Sequence, residues 1–181
     1  MKKYLITILL FAVTLSAGAT NADRNNYDDI DGYFKAAEES DSPNINYFYI
    51  SKAMLTMAGN KAYDGSDVNL KTFTNKIDFM RSVEVVSNKS DDDRLFLKNA
   101  ERLATDIYAE YDYKNLLTTS KEGVRSYLFY KYGEGGLCSV LVVTTQKKAH
   151  PETGKIELTY ARVLLIGGTF RAEDIPTLIN F

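Results

Sequence analysis

The chain has 181 residues, with no tryptophan, one cysteine, one histidine and three prolines. A lone cysteine, Cys138, cannot close a disulfide within the chain, so the fold must rest on its apolar core. His150 and Cys138 are the only nitrogen and sulfur metal ligands available, so a zinc site would have to be built mostly from carboxylates. A Cys/His catalytic pair is opposed by geometry. His150 lies beyond the far end of the strand that Cys138 opens, roughly 25 Å away at about 3.3 Å per residue. Cys138 therefore reads as a small buried apolar residue, and His150, before Pro151, as a solvated loop residue. Without tryptophan the usual sugar-stacking platform is missing, although tyrosine can replace it. No stretch reaches the roughly 20 apolar residues that a membrane-spanning helix requires.

What is present begins with a leader. Met1, Lys2 and Lys3 precede an apolar run over residues 4–15, and the small residues Ser16, Ala17, Gly18 and Ala19 follow. That order is a secretory signal peptide, and the small-x-small pattern Ala17-Gly18-Ala19 places cleavage after Ala19. A lipoprotein would need a cysteine at that point, and Cys138 is far downstream, so lipid anchoring is not expected. The expected destination is the periplasm, with the extracellular side as the alternative. Residues 20–26 are polar and expected to be disordered, and residues 27–181 are expected to form one domain.

The formal net charge is −2, and removing the leader with its two lysines takes it to −4. A mildly acidic surface gives no footprint for nucleic acid or for adsorption to a membrane surface. Tyrosine is abundant, at 13 residues. Tyrosine serves a ligand surface, through a flat apolar body with a polar tip, and equally a half-buried sheet.

Hydrophobic spacing predicts a helix over residues 27–39, with Ile30, Phe34 and Ala37 inward and Asp28 and Asp29 at its start. A strand over 46–50 then enters a helix over 51–58, in which Ile50, Ala53, Met54 and Met57 form the expected buried stripe. Ser51 would cap that helix and Lys52 would point outward. Residues 59–74 read as a loop or distorted edge. Alternation over 77–85 puts Ile77, Phe79, Val83 and Val85 on a buried face, and Arg81 within that set suggests a bulge or an edge. Ser90 with Asp93 resembles a helix cap, and Phe96, Ala100, Leu103, Ile107 and Tyr111 continue as one apolar stripe, widened by Leu97, Ala104 and Tyr108.

The remainder reads as strands over 113–118, 124–132, 137–145 and 157–166, with hairpins at the glycines of 133–136 and at 147–155. A short helix over 172–179 would close the chain. Helices early and strands late imply an α+β two-layer sandwich, its sheet antiparallel or mixed, with helices on one face.

No chemical signature emerges. Asn60 to Gly65 lacks the oxygen ligand that an EF-hand needs at Ala62, and Asp91, Asp92 and Asp93 are explained by the helix dipole. The glycines of 133–136 join two strands, where a phosphate cradle would lead into a helix. No catalytic, cofactor or metal residue is therefore assigned. The ligand-contact candidates are Tyr49, Ser51, Lys52, Tyr127 and Tyr130.

The run Tyr49-Ile50-Ser51-Lys52-Ala53-Met54-Leu55 resembles the motif near the start of the secreted bacterial family called domain of unknown function 4252. Ile77-Asp78, the central helix, the paired late strands and residues 167–175 are similar to that family's layout. The resemblance implies an exported protein and carries over no catalytic residues. Genes of that family often sit near those for alternative sigma factors, which implies a role in an envelope response.

The leading expectation is a non-enzymatic cell-envelope protein that binds a protein or small ligand. The alternatives are a sensor or accessory of an envelope response circuit, and a hydrolase of envelope or dietary polymers acting through carboxylates that the sequence does not single out.

Overall fold

The structure, a computed structural model, describes residues 29–61, 75–133, 138–171 and 174. The leader, the polar segment 20–26, most of the glycine turn at 133–136 and all but Asp174 of the closing helix expected over 172–179 lie outside the described residues, as do residues 62–74.

Helix α1 (Ile30–Glu38) starts at Asp29, whose carboxylate accepts from the Gly32 N–H, and it buries Ile30, Tyr33, Phe34 and Ala37 on one face. Strand β1 (Ile45–Ser51) runs directly into α2 (Lys52–Lys61). Strand β2 (Ile77–Val85) follows, then α3 (Asp91–Arg102), which opens with a capping box between Ser90 and Asp93. Helix α3 continues through a π-helical turn, Leu103–Ile107, into a final turn, Tyr108–Glu110. That turn lays the Tyr108 ring on Phe129 with centroids 4.4 Å apart. The last four strands are β3 (Lys114–Lys121), β4 (Val124–Tyr132), β5 (Cys138–Ala149) and β6 (Ile156–Gly168).

The six strands form one sheet in the order β1-β2-β6-β5-β4-β3, and every pairing is antiparallel. Strands β3 and β4 join through Glu122 (φ 52°) and Gly123 (φ 80°), with Lys121 opposite Val124. Two consecutive left-handed residues match the twist of the flanking strands, which makes this a tight hairpin.

Helices α1 and α3 cover one face, giving the expected α+β sandwich. Tyr33, Phe34, Phe96 and Leu97 pack there on Val83, Phe129, Leu141 and Val163. The opposite face carries a smaller core of Ile77, Leu128, Val140 and Ile166 beneath Leu55 of α2 and Phe170.

Three expectations change. Among the described side chains of α2 the buried one is Leu55, while Ala53, Met54 and Met57 are exposed, and Ile50 of β1 is half-buried. The helix leaves an edge strand with its first turn tied to Ser51 and Asp78, and this sets its phase one residue away from the expected stripe. The helix also runs on to Lys61, through the start of the expected loop. Finally, β2 lies inside the sheet with no irregularity at Arg81; its bulge falls between Ile77 and Phe79. Arg81 stays in the inward-facing set because an ion pair and two aromatic rings accept its guanidinium.

Candidate functional site

The pairing of β1 with β2 sets Tyr49 opposite Arg81 and Tyr47 opposite Val83, so both tyrosines and Arg81 share the face that carries α1. Helix α1 presents Asp31, Lys35 and Glu38 to the same side, at the i, i+4 and i+7 spacing of one helix face. Between them lies a cleft of about 650 Å³ lined by Phe34, Lys35, Glu38, Tyr47, Tyr49 and Arg81, with Asp29, Asp31 and Gly32 at the helix start.

Arg81 organises the cleft. Its Nη1 donates to Asp31 Oδ1 at 2.8 Å, and its guanidinium carbon lies 5.8 Å from the Tyr49 ring centre and 5.3 Å from that of Phe79. Both rings are within cation–π range. Tyr49 remains 46% exposed. Burial pushes the Tyr47 phenol above its ordinary pKa, and the negative charge of Glu38 adds to this, while Arg81 opposes it. Tyr47 therefore stays a neutral hydrogen-bonding group at neutral pH. The cleft offers a flat aromatic surface, an oriented guanidinium and carboxylates, which together suit recognition of a polar ligand that has an apolar face.

The five candidate residues fall into separate places. Tyr49 lines the cleft. The Ser51 hydroxyl accepts from the Met54 N–H at 3.4 Å, which is its expected capping role. Lys52 points away from the cleft and pairs with Asp78 at 2.6 Å. Tyr127 shares the sheet face of the cleft and stacks on Phe129, but it is four strands from β1, about 19 Å at roughly 4.8 Å per strand. Tyr130 is on the opposite face, edge-to-face with Tyr132. Sequence reasoning passed over Arg81, Asp31 and Tyr47. The usable signal was an arginine inside an otherwise apolar alternation.

Cys138 is buried, and burial raises its thiol pKa, so the group is held as an inert thiol. It and His150 flank opposite ends of β5. Among the described residues, no three His, Cys, Asp or Glu side chains gather as a metal-binding group, and no helix is long and apolar enough to cross a membrane.

The family model described as "Domain of unknown function (DUF4252)" matches residues 34–178, about four fifths of the chain. The chain belongs to the DUF4252 family. Within the DUF4252 span, the motif from Tyr49 to Leu55 is the exit of β1 into α2, and Tyr47, Tyr49 and Arg81 all lie inside it. Asp31 and the first turn of α1 precede it. No curated protein and no solved structure matches the chain.

Proposed function

We propose that this DUF4252 protein is an exported, non-enzymatic binding protein of the cell envelope, and that the cleft between α1 and β1 receives its ligand. The observation that carries this reading is the half-exposed Tyr49 ring beside the Arg81 guanidinium, which Asp31 holds in place at the mouth of the cleft. An aromatic face next to a positioned guanidinium recognises ligands by stacking and charge-assisted hydrogen bonds. The leader over residues 1–19 supports delivery to the periplasm. Binding is favoured over hydrolysis because two of the cleft's three carboxylates are engaged, Asp29 in capping α1 and Asp31 in pairing with Arg81, which leaves Glu38 without a second free carboxylate to share acid–base work.

The test is thermal unfolding of the purified protein in the presence of peptide and oligosaccharide pools released from envelope digests. A ligand at about 100 times its Kd adds roughly 2.7 kcal/mol, which for a chain of this size raises Tm by about 5–10 °C. The shift should appear with at least one pool and vanish in both Tyr49→Ala and Arg81→Ala. If no pool shifts the wild type, or if both variants keep the shift, the cleft is not the binding site.

A further inference from the structure

Among the described residues β1 is one edge of the sheet, and its register with β2 decides which of its backbone groups face outward. The Val86 N–H donates to the Asn44 carbonyl at 3.1 Å, and this pair is in phase with Ile45 opposite Val85 and with the pairs that follow. In an antiparallel ladder, hydrogen-bonded pairs alternate with non-bonded ones. Asn46, Phe48 and Ile50 therefore turn their N–H and C=O groups toward β2, while Ile45, Tyr47, Tyr49 and Ser51 turn theirs away from the sheet. The ends of that outward row are closed, since the Ile45 N–H donates to the Ser42 carbonyl at 3.2 Å and Ser51 passes into α2. Between them stand Tyr47 and Tyr49, the two residues whose side chains line the cleft.

The cleft also carries a pattern of charge. At Tyr49 the Arg81 guanidinium is offset by Asp31 and flanked by the Tyr49 and Phe79 rings, a neutral aromatic setting. At Tyr47 the charge from α1 that acts on the phenol is the exposed carboxylate of Glu38. Lys35, also on the cleft wall, is not among the charges that act there, so a cation docked at Tyr47 meets Glu38 first.

We propose, on the reading that this cleft is the binding site, that its ligand is a short extended peptide that pairs antiparallel with β1 at Tyr47 and Tyr49. It sets an aromatic side chain against Tyr49 and, two residues later, a basic side chain beside Glu38. Outward donors and acceptors on alternate residues of an edge, beside a cleft that takes alternate side chains, are what a peptide needs to add as a further strand. Directly opposed residues of an antiparallel pair share a face, so the peptide residues opposite Tyr49 and Tyr47 both point into the cleft, and the one between them lies beside Phe48 and Ile50 on the other face. Antiparallel pairing is the more stable kind per residue, and it fixes the order as aromatic first and basic second. With only two outward residues between closed ends, the edge holds a short segment.

The probe is the blocked peptide acetyl-Thr-Phe-Thr-Lys-Thr-amide, added at millimolar concentration to the nitrogen-15-labelled protein. Binding should slow hydrogen exchange several-fold at the Tyr47 and Tyr49 amides and leave the β3 edge unprotected. N-methylation of the peptide's Phe or Lys, whose N–H groups face β1, should weaken binding about tenfold or more, whereas N-methylation of the central Thr, whose N–H faces away, should change it by less than about threefold. Replacing the peptide's Lys by Glu should weaken binding about two- to fivefold, and Glu38→Lys should reverse that preference. Methylation that costs the same at all three positions, binding without protection at Tyr47 and Tyr49, or a charge preference indifferent to Glu38→Lys would each overturn the proposal. So would protection of those amides that grows with protein concentration alone, which would put a second copy on the edge. A Tyr49- and Arg81-dependent Tm shift with the oligosaccharide pool, but no binding of the peptide, would overturn the peptide ligand and leave the cleft as the site; no response to pool or peptide would remove both.

Discussion

The Ser42 hydroxyl donates to Asp93 Oδ1 at 2.9 Å across 51 positions of sequence, and so ties the segment leading into β1 to the first turn of α3. Asn44 Nδ2 reaches the other carboxylate oxygen at 3.1 Å, and the Ser90 N–H donates to it at 3.2 Å. Asp93 is wholly buried. Burial alone would raise its pKa, but the hydrogen bonds from Ser90, Ser42 and Asn44 outweigh it and hold the carboxyl below the ordinary carboxylate range.

A depressed carboxyl pKa contributes stability that is present above the unfolded value of about 3.9 and is lost as pH falls through the lower folded value. Asp93→Asn should therefore flatten the acid limb of the stability profile. It should also lower stability at neutral pH by roughly 2–4 kcal/mol, because it replaces a charged acceptor of several buried donors. Urea denaturation of both proteins across the acid range measures this; equal pH slopes would refute it.

Gly168 closes β6 against the residues that open β2. A Cβ there would sit 2.0 Å from the Lys76 carbonyl oxygen and 2.9 Å from Ile77 Cα, both of them backbone atoms. At Gly167 the obstacle is the Phe79 ring, which can turn. Gly168→Ala should cost about 3 kcal/mol or more and Gly167→Ala about 1–2 kcal/mol, in the range of overpacked sites. Tm values of the two variants give the comparison, and equal losses would show that the backbone contact is not the constraint.

The elements that were legible in the sequence are those decided locally. Alternation placed Ile77–Val85 and Val124–Tyr132 at their observed limits, and the Ser90/Asp93 cap is made by residues three apart. What escaped depends on partners distant in sequence. The phase of α2 follows from Lys52 meeting Asp78, 26 positions on, and the role of Arg81 follows from Asp31, 50 positions back. The turn at Glu122-Gly123 lacks the Asn or Asp that usually marks such hairpins. Tyr49 was singled out through its motif, but Tyr127 and Tyr130 were grouped with it only as tyrosines, and an odd separation along one strand puts those two on opposite faces of the sheet.

Lys52 and Asp78 form an exposed pair, with side chains 56% and 35% accessible. Exposed pairs contribute about 0–1 kcal/mol and are screened by salt. Lys52→Ala should change stability by less than about 1 kcal/mol, with the difference fading at high salt, and should leave any Tyr49-dependent ligand shift intact. Loss of that shift in Lys52→Ala would return the lysine to the binding surface.

Tyr160 donates from its hydroxyl to Glu84 Oε1 at 2.8 Å, joining β6 to β2 on the face opposite α1 and α3. Burial, the hydrogen bond to Glu84 and that residue's negative charge push the phenol up to about 12, while Arg162 works in the other direction. A phenol whose folded pKa exceeds its unfolded value of about 10 adds stability that is complete below pH 10 and is lost as pH rises toward 12. Alkaline unfolding should therefore steepen in that window. Glu84→Gln removes the charge and weakens the acceptor but leaves the burial, so the Tyr160 pKa should fall only part of the way toward 10. Carbon-13 labelling at tyrosine Cζ, followed through an NMR titration, resolves this residue from the others; a Tyr160 that ionises with the exposed tyrosines would show that its bond to Glu84 does not hold in solution.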